Sequence, residues 1–213
     1  MRGLPSLAFF LILTLVLPPT ARSAEGNPPL FETREKESAN LKMFSKWVEA
    51  VQRSMEEKGK TPGSCQEKNL NSCHYNQWLE FIKSEKGKKL SEKITNTNNF
   101  LNKAIYITDQ VNWGVEDYWE SPSQFLSKNG DCEDYAITKY FTLKELGIPA
   151  ETMRIVTVND LNLKVGHAIL AVYTEGRILI LDNQIKQVVD ATTIKHYEPI
   201  YSINEQAWWR HAK

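Results

Sequence analysis

The hydrophobic period of this chain changes once, and the point of change limits the fold more than any other feature. Before Gly147 apolar residues fall at helical spacing, as in Leu41, Phe44, Trp47, Val48 and Val51. Beyond Pro149 they alternate in steps of two, over 153–158, 167–173, 178–181 and 199–203. A helix buries one face every 3.6 residues and a strand every second residue. Helices come first and strands follow, with turns short enough for antiparallel pairing. The expected class is therefore α+β, N-terminal helices followed by an antiparallel sheet.

Within that frame the sequence predicts a helix over 33–57, then a loop over 58–72 around Pro62-Gly63. A second helix holds Trp78, Leu79, Phe81 and Ile82, and a third runs over 91–111. An aromatic connection from Trp113 to Trp119 leads to Ser121-Pro122, an N-cap followed by proline in the first helical position. That short helix stops before Asn129-Gly130, and the next spans 131–147 with Pro149 beyond its end. Its residues Cys132, Ala136, Tyr140 and Leu143 share a face that Ile137 and Phe141 widen, so it is read as buried. Trp113, Trp119, Trp208 and Trp209 are expected in the core rather than on a binding surface.

The first residues carry a different signal. Met1-Arg2 is followed by an apolar run from Leu7 to Leu17, then Pro18-Pro19 and Ala21-Arg22-Ser23-Ala24. A basic start, a short apolar run and small residues at a cleavage point describe a secretory signal peptide over 1–23. The run is shorter than the roughly 20 residues that a spanning helix needs. Residues 24–32, with two prolines, read as a flexible leader to a single domain over 24–213, exported and not membrane-embedded. Basic and acidic residues balance at 26 each, which gives no electrostatic case for nucleic acid or an anionic lipid surface.

An oxidising compartment pairs cysteines, and there are three: Cys65, Cys73 and Cys132. Cys65 and Cys73 are close enough in sequence to close a small loop. A rival reading makes them zinc ligands with His74, at a spacing that fits no standard zinc motif. Cys132 is left over, in the first turn of a helix. There, free N–H groups and the helix dipole stabilise a thiolate and can donate to an oxyanion. A small buried core cysteine is the competing account.

His167 and Asp182 bear on that choice. With Glu175-Gly176 as the central pair of a tight turn, Tyr173 opposes Ile178, Ala171 opposes Ile180 and Ile169 opposes Asp182. His167 then shares a face with Asp182, diagonally across the hairpin and within side-chain reach. A slip of one residue separates them. In this register Asp182 orients the imidazole, and His167 deprotonates Cys132 and later protonates the leaving amine. His74, His196 and His211 lack such partners and are read as surface or packing residues.

Asp131, Glu133 and Asp134 flank Cys132 and raise a difficulty, since negative charge raises a thiol pKa. They can be an N-cap and first-turn acids that suit the dipole. They can equally hold calcium, which prefers oxygen ligands, although the loop is not an EF-hand.

The run Gly130-Asp131-Cys132-Glu133-Asp134-Tyr135-Ala136-Ile137, with Lys139-Tyr140 and Leu146-Gly147-Ile148-Pro149, resembles the bacterial transglutaminase-like cysteine peptidases of the LapG type. The likeness extends upstream through Asp117-Tyr118-Trp119, Pro122 and Phe125-Leu126. Downstream it takes in Arg154-Ile155, His167-Ala168, Leu170-Ala171, Leu181-Asp182-Asn183 and Pro199-Ile200-Tyr201-Ser202. It implies a papain-like, transglutaminase-like core, Cys132, His167 and Asp182 as the triad, and calcium at the acids around Cys132. It implies a periplasmic enzyme that cuts a large repeat-containing surface adhesin near its amino end, at an alanine-rich site, and so releases cells from biofilms. An inner-membrane receptor for cyclic di-GMP is the implied regulator, sequestering the peptidase. The segment from Cys65 to Tyr75 departs from the pattern. Two rival functions share the scaffold: a transglutaminase or amidase acting on cell-wall peptides, and a calcium-dependent adaptor without activity.

Overall fold

The period changes where the chain leaves a buried helix and enters a sheet. The structure, a computed structural model, describes residues 28–56, 64–66 and 72–213. The expected signal peptide and most of the 58–72 loop lie outside the described residues. Helix α6 (Cys132–Glu145) ends where Gly147 adopts a left-handed φ of 86°, while the Ile148 N–H reaches back to the Leu143 carbonyl at 3.0 Å. Before it come α1 (Ser45–Glu56), α2 (Ser72–Glu85), α3 (Leu90–Leu101), α4 (Asp109–Asn112) and α5 (Pro122–Lys128). No helix among the described residues is long and apolar enough to cross a membrane.

The strands are β1 (Arg34–Ser38), β2 (Met153–Asp160), β3 (Val165–Thr174), β4 (Arg177–Leu181), β5 (Val189–Asp190), β6 (Tyr197–Ile203) and β7 (Trp208–Ala212). They form one seven-stranded sheet in the order β1-β7-β6-β2-β3-β4-β5, each neighbour antiparallel. Both faces are covered. Met153, Ile155, Leu170, Val172, Leu181 and Ile203 pack against Trp47, Trp78, Ile137 and Tyr140 of the helices. Val156, Val158, Ile169, Ala171, Tyr173, Ile178 and Ile180 pack under Leu30, Ala191, Ile194 and Tyr197. That second cover explains why β3 reads as a continuous apolar run, 168–173, instead of a clean alternation. Trp119 and Trp209 are buried as expected, and Trp113 and Trp208 are half-buried.

The helical expectation over 33–57 holds only from Ser45. Residues 34–38, Arg-Glu-Lys-Glu-Ser, form an edge strand with no apolar pattern of their own, paired to β7 with Arg34 opposite Ala212. That pairing joins the two ends of the chain, so local propensity does not reveal it. The flexible-leader reading of 24–32 is likewise corrected within 28–32, where Leu30 is fully buried in a 3-10 turn. The helix expected over 91–111 ends at Leu101. Ile105 donates its N–H to Asn129 Oδ1, and Tyr106 bridges Gly130, so a distant side chain and a distant backbone replace helical partners.

Cys65 and Cys73 form a disulfide with Cα atoms 5.1 Å apart, which removes both thiolates from the zinc reading. His74 instead bonds through Nε2 to the Cys65 carbonyl at 2.9 Å. His211 is not a mere packing residue. It is buried between Thr33 Oγ1 and Ser202 Oγ, each 2.9 Å away.

Beside His211, Arg154 meets Glu35 Oε2 at 2.6 Å and lies over the Trp209 ring at 3.6 Å. This ties β1 to β2 across the sheet. Replacing Glu35 with Ala leaves the Arg154 guanidinium buried without its carboxylate. The expected cost is about 3 kcal/mol, read as a lower urea midpoint at unchanged m-value.

Candidate active site

The site begins at the turn that starts α6. Asn129 takes a φ of 62°, and Gly130 lies so close to Asp134 that an added Cβ would sit 2.8 Å from the Asp134 Cβ and 2.9 Å from its Cγ. Asp131 is the N-cap, and Asp134 closes the capping box by accepting the Asp131 N–H at Oδ2, 3.0 Å. Gly130→Ala therefore pushes the Asp134 carboxyl off its donors. A loss of about 2 kcal/mol is expected, together with loss of activity, measured by thermal melting and turnover.

Cys132 is the first residue of α6, half-buried and outside the disulfide. The Ala168 backbone N–H donates to its sulfur, which brings β3 against the helix start beside His167. The thiol donates to Glu133 Oε2 at 3.2 Å. Burial first, then the charges of Glu133 and Asp131, hold the thiol above its usual range.

The hairpin register is the one that places His167 and Asp182 on one face. Thr174 pairs with Arg177, Tyr173 with Ile178, Ala171 with Ile180 and Leu170 with Leu181, around a turn with positive φ at Glu175 and Gly176. The two side chains meet: His167 Nε2–H donates to Asp182 Oδ1 at 2.9 Å, with His167 3% and Asp182 1% exposed. Gln184 Nε2 approaches His167 Nδ1 at 3.4 Å. Asp182 also accepts the Gln184 N–H at 2.8 Å and the Tyr197 hydroxyl at 2.7 Å. Burial works against the Asp182 charge, but its bond to His167 and these other donors hold the carboxyl below its usual range.

The acids extend beyond the three flanking Cys132. Asp109 joins Asp131 and Asp134, and Asp109 with Asp117 joins Glu133, each set offering carboxylate oxygens within 4.8 Å of one another. Asp109 Oδ1, Glu120 Oε2 and Asp131 Oδ1 are buried without a hydrogen-bond donor. Asp134 is fully buried and spends Oδ1 on the Glu120 N–H at 2.8 Å. Burial above all, with the neighbouring acids, pushes Asp109 to about 6, Glu120 to about 8, Glu133 to about 9 and Asp134 well up. Buried carboxylate oxygens without a hydrogen-bond donor, in a cluster whose mutual repulsion favours protonation, are hard ligands that fit a cation such as calcium.

Asp109, Glu120, Gln184 and Tyr197 were not visible as site residues in the sequence. Asp109 lies in a segment expected to be helical throughout, and nothing in local spacing links it to Asp131. Asp117 stands in the resemblance string, which is the one signal that pointed to it.

A half-buried thiol at a helix start, lying against the strand whose imidazole pairs with a buried carboxylate, is the arrangement of a cysteine proteinase on an α+β scaffold. The chain matches bacterial transglutaminase-like cysteine proteinase, BTLCP, over residues 63–212 and belongs to that family. Its fold matches calcium-bound LapG of Legionella pneumophila at 31% identity and a TM-score of 0.61, covering 76% of this chain and 86% of that one. EGTA-treated LapG of the same organism matches at 31% identity and a TM-score of 0.62, covering 78% and 85%. No match was found among curated proteins.

Proposed function

We propose that this protein is a calcium-dependent periplasmic cysteine endopeptidase with Cys132 as nucleophile, His167 as general base and acid, and Asp182 as orienting carboxylate. The 2.9 Å contact of buried His167 with buried Asp182, with His167 one residue from the N–H that meets the Cys132 sulfur, carries this reading. Asp182 holds the Nε2–H tautomer and leaves Nδ1 as the nitrogen that exchanges a proton with the thiol. Cys132 attacks the scissile carbonyl, forming a C–S bond, and the free N–H groups at the start of α6 can donate to the oxyanion. His167 returns its proton to the leaving amine, and water then hydrolyses the thioester.

Asp131, Glu133 and Asp134, with Asp109 and Asp117, are the residues to hold calcium. When bound, the ion supplies positive charge against the acids that oppose a Cys132 thiolate and braces the helix start. A relative solved with calcium bound supports this choice.

The substrate we propose is a large repeat-containing adhesin, cut near its amino end at an alanine-rich site, releasing cells from a biofilm. An inner-membrane cyclic di-GMP receptor then holds the enzyme in check, and the apolar run at the N-terminus serves export. The test is to add the purified protein with calcium to cells and identify which exported protein shortens. No shortened protein, or incorporation of an added amine in place of hydrolysis, overturns the peptidase in favour of an adaptor or a transglutaminase. Asp182→Asn is expected to lower turnover by about a hundredfold or more, because the imidazole loses its tautomer; unchanged turnover removes Asp182 from the triad.

A further inference from the structure

Strand β3 outruns its neighbour on one side. It spans Val165–Thr174, yet β4 pairs with it only from Leu170 to Thr174. On its other side β2 follows it down to Val165, which lies opposite Asp160. The β4 side of residues 165–169 is therefore a sheet edge, and it carries His167. Val165 and Gly166 on that edge are exposed.

The hairpin fixes which backbone groups face outward there. Thr174 and Arg177 flank a two-residue turn and form a hydrogen-bonded pair. Antiparallel pairing alternates, so Val172 and Leu170 bond β4 as well, and Ala168 and Gly166 turn their N–H and C=O the same way. Beyond the end of β4 the Ala168 N–H meets the Cys132 sulfur. The Gly166 N–H and C=O come next, on the order of 7 Å further along the strand. They point away from β2, and neither joins a turn or loop hydrogen bond among the described residues.

Gly166 also leaves room for a neighbour. Leu170 and Val172 face the helices, so a side chain at 166 would stand on that same face, the one covered by α6. A Cβ added at Gly166 meets nothing within 4 Å, and the backbone there is not left-handed, so the local conformation does not demand glycine. Sheets guard open edges with lysine or proline, and Val165, Gly166 and His167 supply neither.

We propose that Gly166 is a substrate-binding residue: an extended peptide adds to the open edge of β3, exchanges backbone hydrogen bonds with the Gly166 N–H and C=O, and so brings its scissile carbonyl to Cys132. This rests on Cys132 being the nucleophile. The absent Cβ keeps space for the substrate residue beside the sulfur. Strand addition reads backbone before side chains, so the substrate class is an unfolded, extended segment, and a helical or tightly folded one is not cut.

The test uses the full chain with calcium and two probes that label Cys132 by displacing halide to form a thioether. Iodoacetamide is too small to pair as a strand, and acetyl-Ala-Ala-Ala chloromethyl ketone is long enough. The measured quantity is the labelling rate of the tripeptide divided by that of iodoacetamide. Methylating one backbone nitrogen of the tripeptide is expected to lower this ratio about tenfold, and methylating the adjacent one to change it less than twofold, because neighbouring strand residues bond in opposite directions. Gly166→Val is expected to lower the ratio about tenfold while the melting temperature stays level or rises, since valine suits a strand and the space is open. Methylation that acts equally at every nitrogen, or at none, overturns the proposal. So does a wild-type ratio in folded Gly166→Val; if that variant does not fold, the methylated probes on the wild-type protein decide. Cys132 left unlabelled by both probes defeats the nucleophile and this proposal with it, whereas labelling by both with unchanged ratios defeats the strand addition alone.

Discussion

Cys132→Ala is expected to lower peptide hydrolysis by about 10⁵-fold or more while the protein remains folded. The chemical reason is that no other group among the described residues stands where the sulfur does, at the helix start against Ala168 N–H. The structural reason is that Cys132 is half-buried and lies outside the two main hydrophobic clusters, so losing one sulfur removes little packing. Folding is checked by thermal melting and turnover by release of a peptide fragment. Hydrolysis at the wild-type rate in a correctly folded variant ends the nucleophile assignment. A variant that loses activity and melts far lower points to a structural role for the thiol.

Calcium at saturating concentration, about a hundred times its dissociation constant, is expected to add about 2.7 kcal/mol of stability, a melting shift of roughly 5–10 °C for a chain of this size. The buried carboxylates at and beside the site set how that increment varies with pH. Asp109, Glu120 and Glu133 have pKa values near 6, 8 and 9, above those of an unfolded chain, because burial and mutual repulsion disfavour their charged forms. Folding without a cation therefore takes up protons at these groups. That contribution to stability is full below the unfolded value of about 4 and is lost as pH rises through about 6 to 9. Calcium competes with those protons, so its stabilising increment should grow between pH 6 and pH 8. Asp109→Asn, which removes one charge from two of the acid sets, should weaken the increment. Melting curves with calcium and with EGTA that coincide at both pH values exclude a bound ion.

How much of this was legible in the chain itself depended on range. The α5 cap at Ser121-Pro122, the start of α6 at Asp131, its end at Gly147 and the β3–β4 register are set by residues a few positions apart, and each was readable. The hairpin gives the clearest case. A two-residue turn fixes the register, the register fixes which side chains share a face, and His167 and Asp182 followed from counting alone. The disulfide was one of two open readings, and coordinates were needed to choose between them.

Long-range pairing was not legible. Strand β1 is a charged pentapeptide that becomes a strand through β7 at the far end of the chain, and the buried Glu35–Arg154 pair exists through that closure. Asp109 becomes part of the acid cluster because α3 stops at Leu101, and it stops through bonds to Asn129 and Gly130 made in the folded chain. The same holds for Lys139, which the sequence offers as an ordinary helix residue and the fold buries completely. The amino-acid order determined the chemistry available: a helix-start thiol, a hairpin that pairs an imidazole with a carboxylate, and acids around the thiol. Tertiary structure decided which distant charges join them, because burial and electrostatic coupling act through space and leave no period in the chain.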